Sequence, residues 1–182
     1  PPIASAEQLS AYALTEPEAG TDVASLNCRA RRDGDGFIIK GTKVWITSGG
    51  AADRILVFAT VDPNKGRDGI TCFLIPGDAS GLERKPMEGR ELGHRGSNHA
   101  TLKLHGVRVP ESAVVGGLGR GFKVAMSALD HGRLGVAAGG VGLAQGDAQG
   151  DRPLEERLGL LALGEAPDVA LGQARRLGEA SE

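Results

Sequence analysis

The chain has 182 residues, 40% of them hydrophobic, enough for a domain with a true core. Its 21 basic and 23 acidic residues are spread along the sequence and leave a formal net charge of -2, which argues against a nucleic-acid or anionic-membrane surface. No apolar run is long enough to span a bilayer. Cys28 and Cys72, without a CxxC companion, read as two reduced thiols rather than a zinc or redox site.

In chain order, residues 1–10 read as the end of a preceding helical domain and 11–111 as a β domain. Within the latter, Phe37 to Lys40, Lys43 to Thr47, Ile55 to Thr60, Ile70 to Ile75 and Thr101 to His105 are short apolar runs bounded by turn residues. Asp33-Gly34-Asp35-Gly36 is a hairpin signal, because glycine tolerates the positive φ of a tight turn, and Asp62-Pro63-Asn64-Lys65-Gly66 marks a longer connection. This punctuation predicts an antiparallel two-sheet or barrel-like β domain. After Pro110 the pattern changes. Gly116-Gly-Leu-Gly119-Arg-Gly121 leads into a helix over about 122–144, with Phe122, Met126, Leu129, Val136 and Leu143 forming one apolar stripe. The glycines do not make a dinucleotide loop, since Phe122 stands where the last glycine of G-x-G-x-x-G is needed. The overall class is α+β: a β domain followed by a long helix of an incomplete helical bundle, with 112–145 as the start of that bundle. Residues 146–182 form a divergent tail dominated by Leu, Gly, Ala, Glu and Arg, with a short helix predicted over 154–163.

Two segments concentrate the polar chemistry. Tyr12-Ala-Leu14-Thr15-Glu-Pro17-Glu-Ala-Gly20-Thr21-Asp22 offers hydroxyls, a rigid proline turn and a glycine; Val44-Trp45-Ile46-Thr47 offers a flat aromatic surface beside a hydroxyl. On a strand, positions 45 and 47 point to one face, so an indole and a hydroxyl could meet a flat, acceptor-rich ring together. The pair points to a flavin site. Trp45 taken alone also reads as a core tryptophan, and Glu16 to Gly20 as a turn followed by a capping Thr21 or Asp22.

Together these segments resemble the acyl-CoA dehydrogenase family, whose middle domain opens with a T-E-P-x-A-G-S-D segment and carries a K-x-W-I-T strand. The resemblance continues through Gly69-Ile-Thr-Cys-Phe73-Leu-Ile-Pro76, Glu91-Leu-Gly93-His-Arg95, Val107-Arg-Val109-Pro110, Gly119-Arg-Gly121-Phe122 and Leu129-Asp130-His-Gly-Arg133, covering about residues 9 to 145. It implies FAD as cofactor, with Tyr12 and Leu14 bracketing the ring and Thr15 beside the pyrimidine. It also places Gly20 and Thr21 at the pyrophosphate turn, Trp45 and Ile46 at the ring, and Thr47 at N5. Threonine stands at 21 where most relatives have serine; the hydroxyl is kept. Thr21, Asp130 and Arg133 are implied on the acyl-CoA side. Asp130 and Arg133 are three apart on the predicted helix, so they could also form a structural salt bridge; Arg133 projects into the apolar stripe, a costly position for an unpaired charge.

The implied reaction is α,β-dehydrogenation of an acyl-CoA thioester, as in fatty acid β-oxidation: a carboxylate removes the α-proton while the β-hydrogen leaves as hydride to the flavin. The family's usual base lies in a later helix, and a minority places it just before the arginine matching Arg133, where this chain has Gly132. Glu155, Glu156 and Glu165 inherit no role, so no catalytic residue is nominated. Pro1 at the start and the absent R-x-Q-F-G-like segment lead to the expectation of a fragment, inactive alone and binding FAD weakly. Implied partners are acyl-CoA, an electron-transfer flavoprotein and further copies in a homotetramer or homodimer. The expected location is cytoplasmic in a prokaryote or the mitochondrial matrix in a eukaryote. Alternative functions are a non-catalytic flavin or acyl-CoA binding remnant, or a related acyl-CoA oxidase or flavin monooxygenase. The histidines His94, His99, His105 and His131 have no metal-ligand spacing, and the last three read as solvated loop residues. Ser48 lacks the G-x-S-x-G elbow of a hydrolase.

Overall fold

The computed structural model describes residues 2–87 and 98–149, with side chains through residue 146. The Glu91 to Arg95 motif with His94, and the tail from 150, lie outside these residues. The described part holds eight strands: β1 (Ser10–Ala13), β2 (Arg29–Asp33), β3 (Gly36–Thr47), β4 (Arg54–Thr60), β5 (Ile70–Pro76), β6 (Leu82–Pro86), β7 (His99–Pro110) and β8 (Val114–Val115). Short 3-10 turns interrupt them at Val23–Ser25, Pro63–Gly69 and Glu111–Ala113, and one long helix follows, α1 (Gly121–Gln149). The described residues divide into two units, the first comprising residues 2–87 and 98–132, the second the part of α1 from residue 133.

In the first unit the strands run in the order β6-β7-β3-β2-β4-β5-β8, with β1 added on β4. Most pairings are antiparallel, as expected, but β1 and β2 each run parallel to β4. The sheet curls over on itself: Phe37 on β3 and Phe73 on β5, separated in the sheet by β2 and β4, meet edge to face with ring centroids 5.3 Å apart. Ile39, Ile46, Ile55, Val57, Ile75, Leu102 and Val107 fill the space enclosed. On the opposite side of β4, Phe58 joins Leu14, Leu26, Ile70, Cys72 and Ala125 in a second cluster that packs the first turns of α1 onto the sheet. That double burial explains why β4 reads as a nearly unbroken apolar run.

The predicted hairpin is present, with Asp33 opposite Gly36 and Gly34 at φ 61°. The two runs predicted at 37–40 and 43–47 form one strand, β3, that passes through Gly41. There a Cβ would come within 2.8 Å of the Cys28 backbone, so only glycine lets β3 cross beside Cys28. Two register shifts divide the β3 and β7 ladder. One places an extra residue on β7 at Gly106 (φ 91°) and the other an extra residue on β3 between Lys43 and Ile46.

The helix begins where the glycine run predicts. Gly121 lies so close to Thr71 and Cys72 that a Cβ would overlap their backbone, and the buried Thr71 hydroxyl accepts from the Gly119 N–H at 3.0 Å. The predicted apolar stripe behaves otherwise. Phe122, Ala125 and Met126 pack in the first unit, but Leu134, Val136, Val141 and Leu143 in the second unit are 58–77% exposed. Arg133 therefore stands among exposed apolar residues and incurs no burial cost, contrary to the expectation from the helical projection. Among the described residues no helix is long and apolar enough to cross a membrane.

Candidate functional site

The two chemistry-bearing segments are bound to each other through a buried ion pair. After β1, the chain turns through Thr15-Glu16-Pro17, closed by reciprocal backbone bonds between Glu16 and Ala19. The Glu16 carboxylate, although only 5% exposed, is fully engaged. It accepts from the backbone N–H groups of Asn27 and Cys28 and from the Lys43 ammonium at 2.8 Å. Lys43 is entirely buried and donates a second bond to the Leu14 carbonyl at 2.9 Å. A third tie runs from the Val44 N–H to the Thr15 carbonyl at 3.0 Å. Charges are buried only when paired and hydrogen-bonded, and here the pairing fixes the loop carrying Thr15, Gly20 and Thr21 to the strand carrying Trp45, Ile46 and Thr47. The sequence motifs by themselves single out neither Glu16 nor Lys43 as a site residue. The available signal was a lysine inside an apolar strand segment with a carboxylate in the companion motif.

Immediately after Lys43 comes the β3 bulge. Regular alternation would put Trp45 on the inward face with Lys43, but the extra residue reverses the parity. Trp45 becomes 59% exposed, Ile46 is buried at 1%, and Thr47 is exposed. Residues 45 and 47 thus share the open side as expected, for a reason absent from the regular-strand argument. Trp45 sits at φ 60°, a region costly for a bulky side chain, and Ser48 follows at φ 59°. A large exposed indole held in a strained backbone on a rigid strand is a common mark of a ligand surface. The surrounding geometry supports the Thr47 hydroxyl, which lies 3.0 Å from His99 Nε2 on the neighbouring strand.

The remaining implied residues distribute as follows. Thr15 is half-buried, while Gly20 and Thr21 are exposed, with open space where a Gly20 side chain would project. Asp22 caps the following 3-10 turn by accepting from the Ala24 N–H, the capping role the alternative reading assigned to this position or Thr21. Tyr12 packs its ring on Phe58 at 4.9 Å and donates its hydroxyl to the Ala125 carbonyl on α1 at 3.1 Å. Burial pushes its phenol up to about 12, with Cys72 adding to the shift. Leu14 and Ile46 place their side chains in the two core clusters, so they support the site's walls from behind. Asp130 and Arg133 are both exposed on α1. The histidines expected in loops lie on regular elements: His99 and His105 on β7, the latter 2.9 Å from Glu83, and His131 on α1 against the Ser127 carbonyl. Both cysteines are buried as thiols, and burial pushes Cys28 up to about 11 and Cys72 to about 12.

The profile for the acyl-CoA dehydrogenase middle domain matches residues 11–107, the stretch that builds this β domain. The chain belongs to the acyl-CoA dehydrogenase family. It is 42% identical over 140 residues to the mitochondrial short/branched chain specific acyl-CoA dehydrogenase of Rattus norvegicus, a match covering 77% of this chain and 32% of that one. It is 37% identical to the short-chain specific acyl-CoA dehydrogenase of Clostridium acetobutylicum, over 97% of this chain and 49% of the relative. The latter match extends into residues 146–182, beyond the motifs that carry the resemblance. The butyryl-CoA dehydrogenase structure from Megasphaera elsdenii superposes with a TM-score of 0.76 at 39% identity, over 79% of this chain and 38% of that one. The chain spans less than half the length of these relatives.

The open side of β3 suits a flavin. An exposed indole face can receive a flat ring, a hydroxyl two residues on can meet a ring nitrogen, and the bare Gly20 turn leaves room for a phosphate-bearing tail.

Proposed function

We propose that this chain supplies the flavin-facing wall of a centre for FAD-dependent α,β-dehydrogenation of acyl-CoA thioesters. The observation that carries the reading is the exposed, strained Trp45 beside the exposed Thr47, on a strand locked by Glu16 and Lys43 to the Thr15–Gly20 turn. When bound, the flavin supplies the hydride acceptor. The chain's own residues bind and orient. Trp45 contributes stacked area, the Thr47 and Thr15 hydroxyls fix the ring's polar edge, and Gly20 with Thr21 receives the pyrophosphate.

No carboxylate of the described residues is assigned to α-proton abstraction. Gly132, at the position of the minority base, is surrounded by open space on α1. The acyl-CoA contacts of Thr21, Asp130 and Arg133, the electron-transfer flavoprotein as acceptor, and assembly with further copies of the chain belong to the same reading. Its test is titration of the chain with FAD, followed by flavin fluorescence and visible circular dichroism. Weak saturable binding, lost in Trp45→Ala, is expected. A folded chain that leaves both signals unchanged at every FAD concentration rejects the flavin assignment.

A further inference from the structure

The hydroxyl at position 47 is not left free to turn. Thr47 and His99 are opposite each other at the ends of β3 and β7, and backbone bonds hold both in place. The Ser48 N–H donates to the Asn98 carbonyl at 2.7 Å, and the Met87 N–H donates to the His99 carbonyl at 2.9 Å. Their side chains meet at 3.0 Å between Thr47 Oγ1 and His99 Nε2. A threonine hydroxyl carries one proton and two lone pairs, and at an exposed position it would otherwise rotate among several orientations. The contact with Nε2 selects one. If Nε2 carries a proton, it donates to Oγ1, and the hydroxyl proton is available to a ligand on the open side. If Nε2 is bare, Thr47 donates to it and presents only a lone pair outward.

We propose that His99 is a positioning residue that fixes, through Thr47 Oγ1, whether the site donates or accepts a hydrogen bond at the flavin. It thereby sets the relative affinity for the oxidised and reduced cofactor. This rests on the flavin reading above. The central nitrogen N5 of an oxidised flavin is a bare acceptor and that of the reduced form is an N–H donor. A hydroxyl held in one sense therefore suits one redox state better than the other. One ordinary hydrogen bond separates the two cases, corresponding to roughly a 5- to 10-fold difference in affinity. A 10-fold difference equals about 30 mV for a two-electron couple.

The test measures the dissociation constants of oxidised and anaerobically photoreduced FAD for the whole chain and takes their ratio. His99→Leu should move that ratio about 5- to 10-fold, the direction of movement reporting which way the native bond runs. His99→Gln, whose amide can reach the place of Nε2, should restore much of the native value, which a purely structural role for the imidazole would not predict. In a Thr47→Val background, His99→Leu should have no further effect on the ratio. An unchanged ratio in His99→Leu, or an effect that persists undiminished without the Thr47 hydroxyl, overturns the proposal. Imidazole 15N resonances of the flavin-free chain test the contact separately: Thr47→Val should shift the His99 signals, and unmoved signals also overturn it. If the signals shift but neither form of FAD binds, the flavin reading has failed and the redox role falls with it, while the hydrogen bond itself stands.

Discussion

Breaking the Glu16–Lys43 pair should show that the two motif segments are held together by one buried contact. In Glu16→Gln, the single amide oxygen can serve Cys28 N–H and Lys43, or Asn27 N–H, but not both sets. Whichever way the amide turns, an NH2 faces a donor and the ammonium loses its counter-charge. In Lys43→Met, the carboxylate keeps its two backbone donors but loses its charge partner, and the Leu14 carbonyl loses its donor. Each single change should cost about 3–5 kcal/mol, the usual penalty for an uncompensated buried charge, a large share of the roughly 5–15 kcal/mol that stabilises an ordinary domain. The double variant removes both charges but leaves one backbone N–H and the Leu14 carbonyl imperfectly satisfied, at about 1–3 kcal/mol each, so it should cost clearly less than the sum of the two single variants. Urea unfolding followed by far-UV circular dichroism is the appropriate assay, because the chain's one tryptophan, Trp45, is already 59% exposed and its emission changes little on unfolding. Single substitutions costing less than about 1 kcal/mol, or a double variant costing the sum of the singles, would refute the reasoning.

Trp45→Gly should separate stability from binding. Glycine relieves the positive-φ strain and stabilises the fold by about 0.5–1 kcal/mol net of its greater unfolded-state freedom, while FAD affinity falls; a destabilised variant with normal affinity contradicts both halves. Thr47→Ala should alter flavin binding with little effect on the urea midpoint, as the hydroxyl is exposed. Stability should decline as pH rises from about 9 to about 12, because the unfolded chain releases thiol protons near 9 that the fold retains on Cys28 to about 11 and Cys72 to about 12. Cys72→Ala should flatten that slope, which equilibrium unfolding across the alkaline range would measure. The chain alone should show no acyl-CoA-dependent flavin reduction even with added FAD, since no base is assigned; turnover abolished by Glu165→Gln would reveal a base in the tail.

What the sequence made legible and what it concealed divide along a physical line. Strands that bury most of their side chains announce themselves by apolar content, as a near-continuous run around Ile55 and Ile70 and as alternation around Leu102. Strands β2 (Arg29-Ala-Arg-Arg-Asp33) and β6 (Leu82-Glu-Arg-Lys-Pro86) do not, because most of their side chains are charged and their order comes from the strands they pair with, β3 across the hairpin and β7. Arg31 and Arg32 pair with Ile38 and Phe37 in the ladder, and the Arg32 guanidinium lies 4.7 Å over the Phe37 ring while bonding Glu111. The same limit governs the site. The residues implied to touch the cofactor were readable from two motifs, but what brings the motifs together is a lysine and a glutamate whose value exists only once they are buried against each other. The bulge that turns Trp45 outward leaves no compositional trace either, since it depends on the count of residues in β7 opposite Lys43 and Ile46. The motifs thus bring Trp45 and Thr47 to one open side while Leu14 and Ile46 turn into the core, whereas the groups that hold the segments, Glu16, Lys43 and His99, become visible only through pairing in the fold. Those supporting residues are where substitutions should discriminate most sharply between a flavin wall and an ordinary β domain. In an ordinary domain the Thr47–His99 contact would have no bearing on redox state, and the strain at Trp45 would serve nothing.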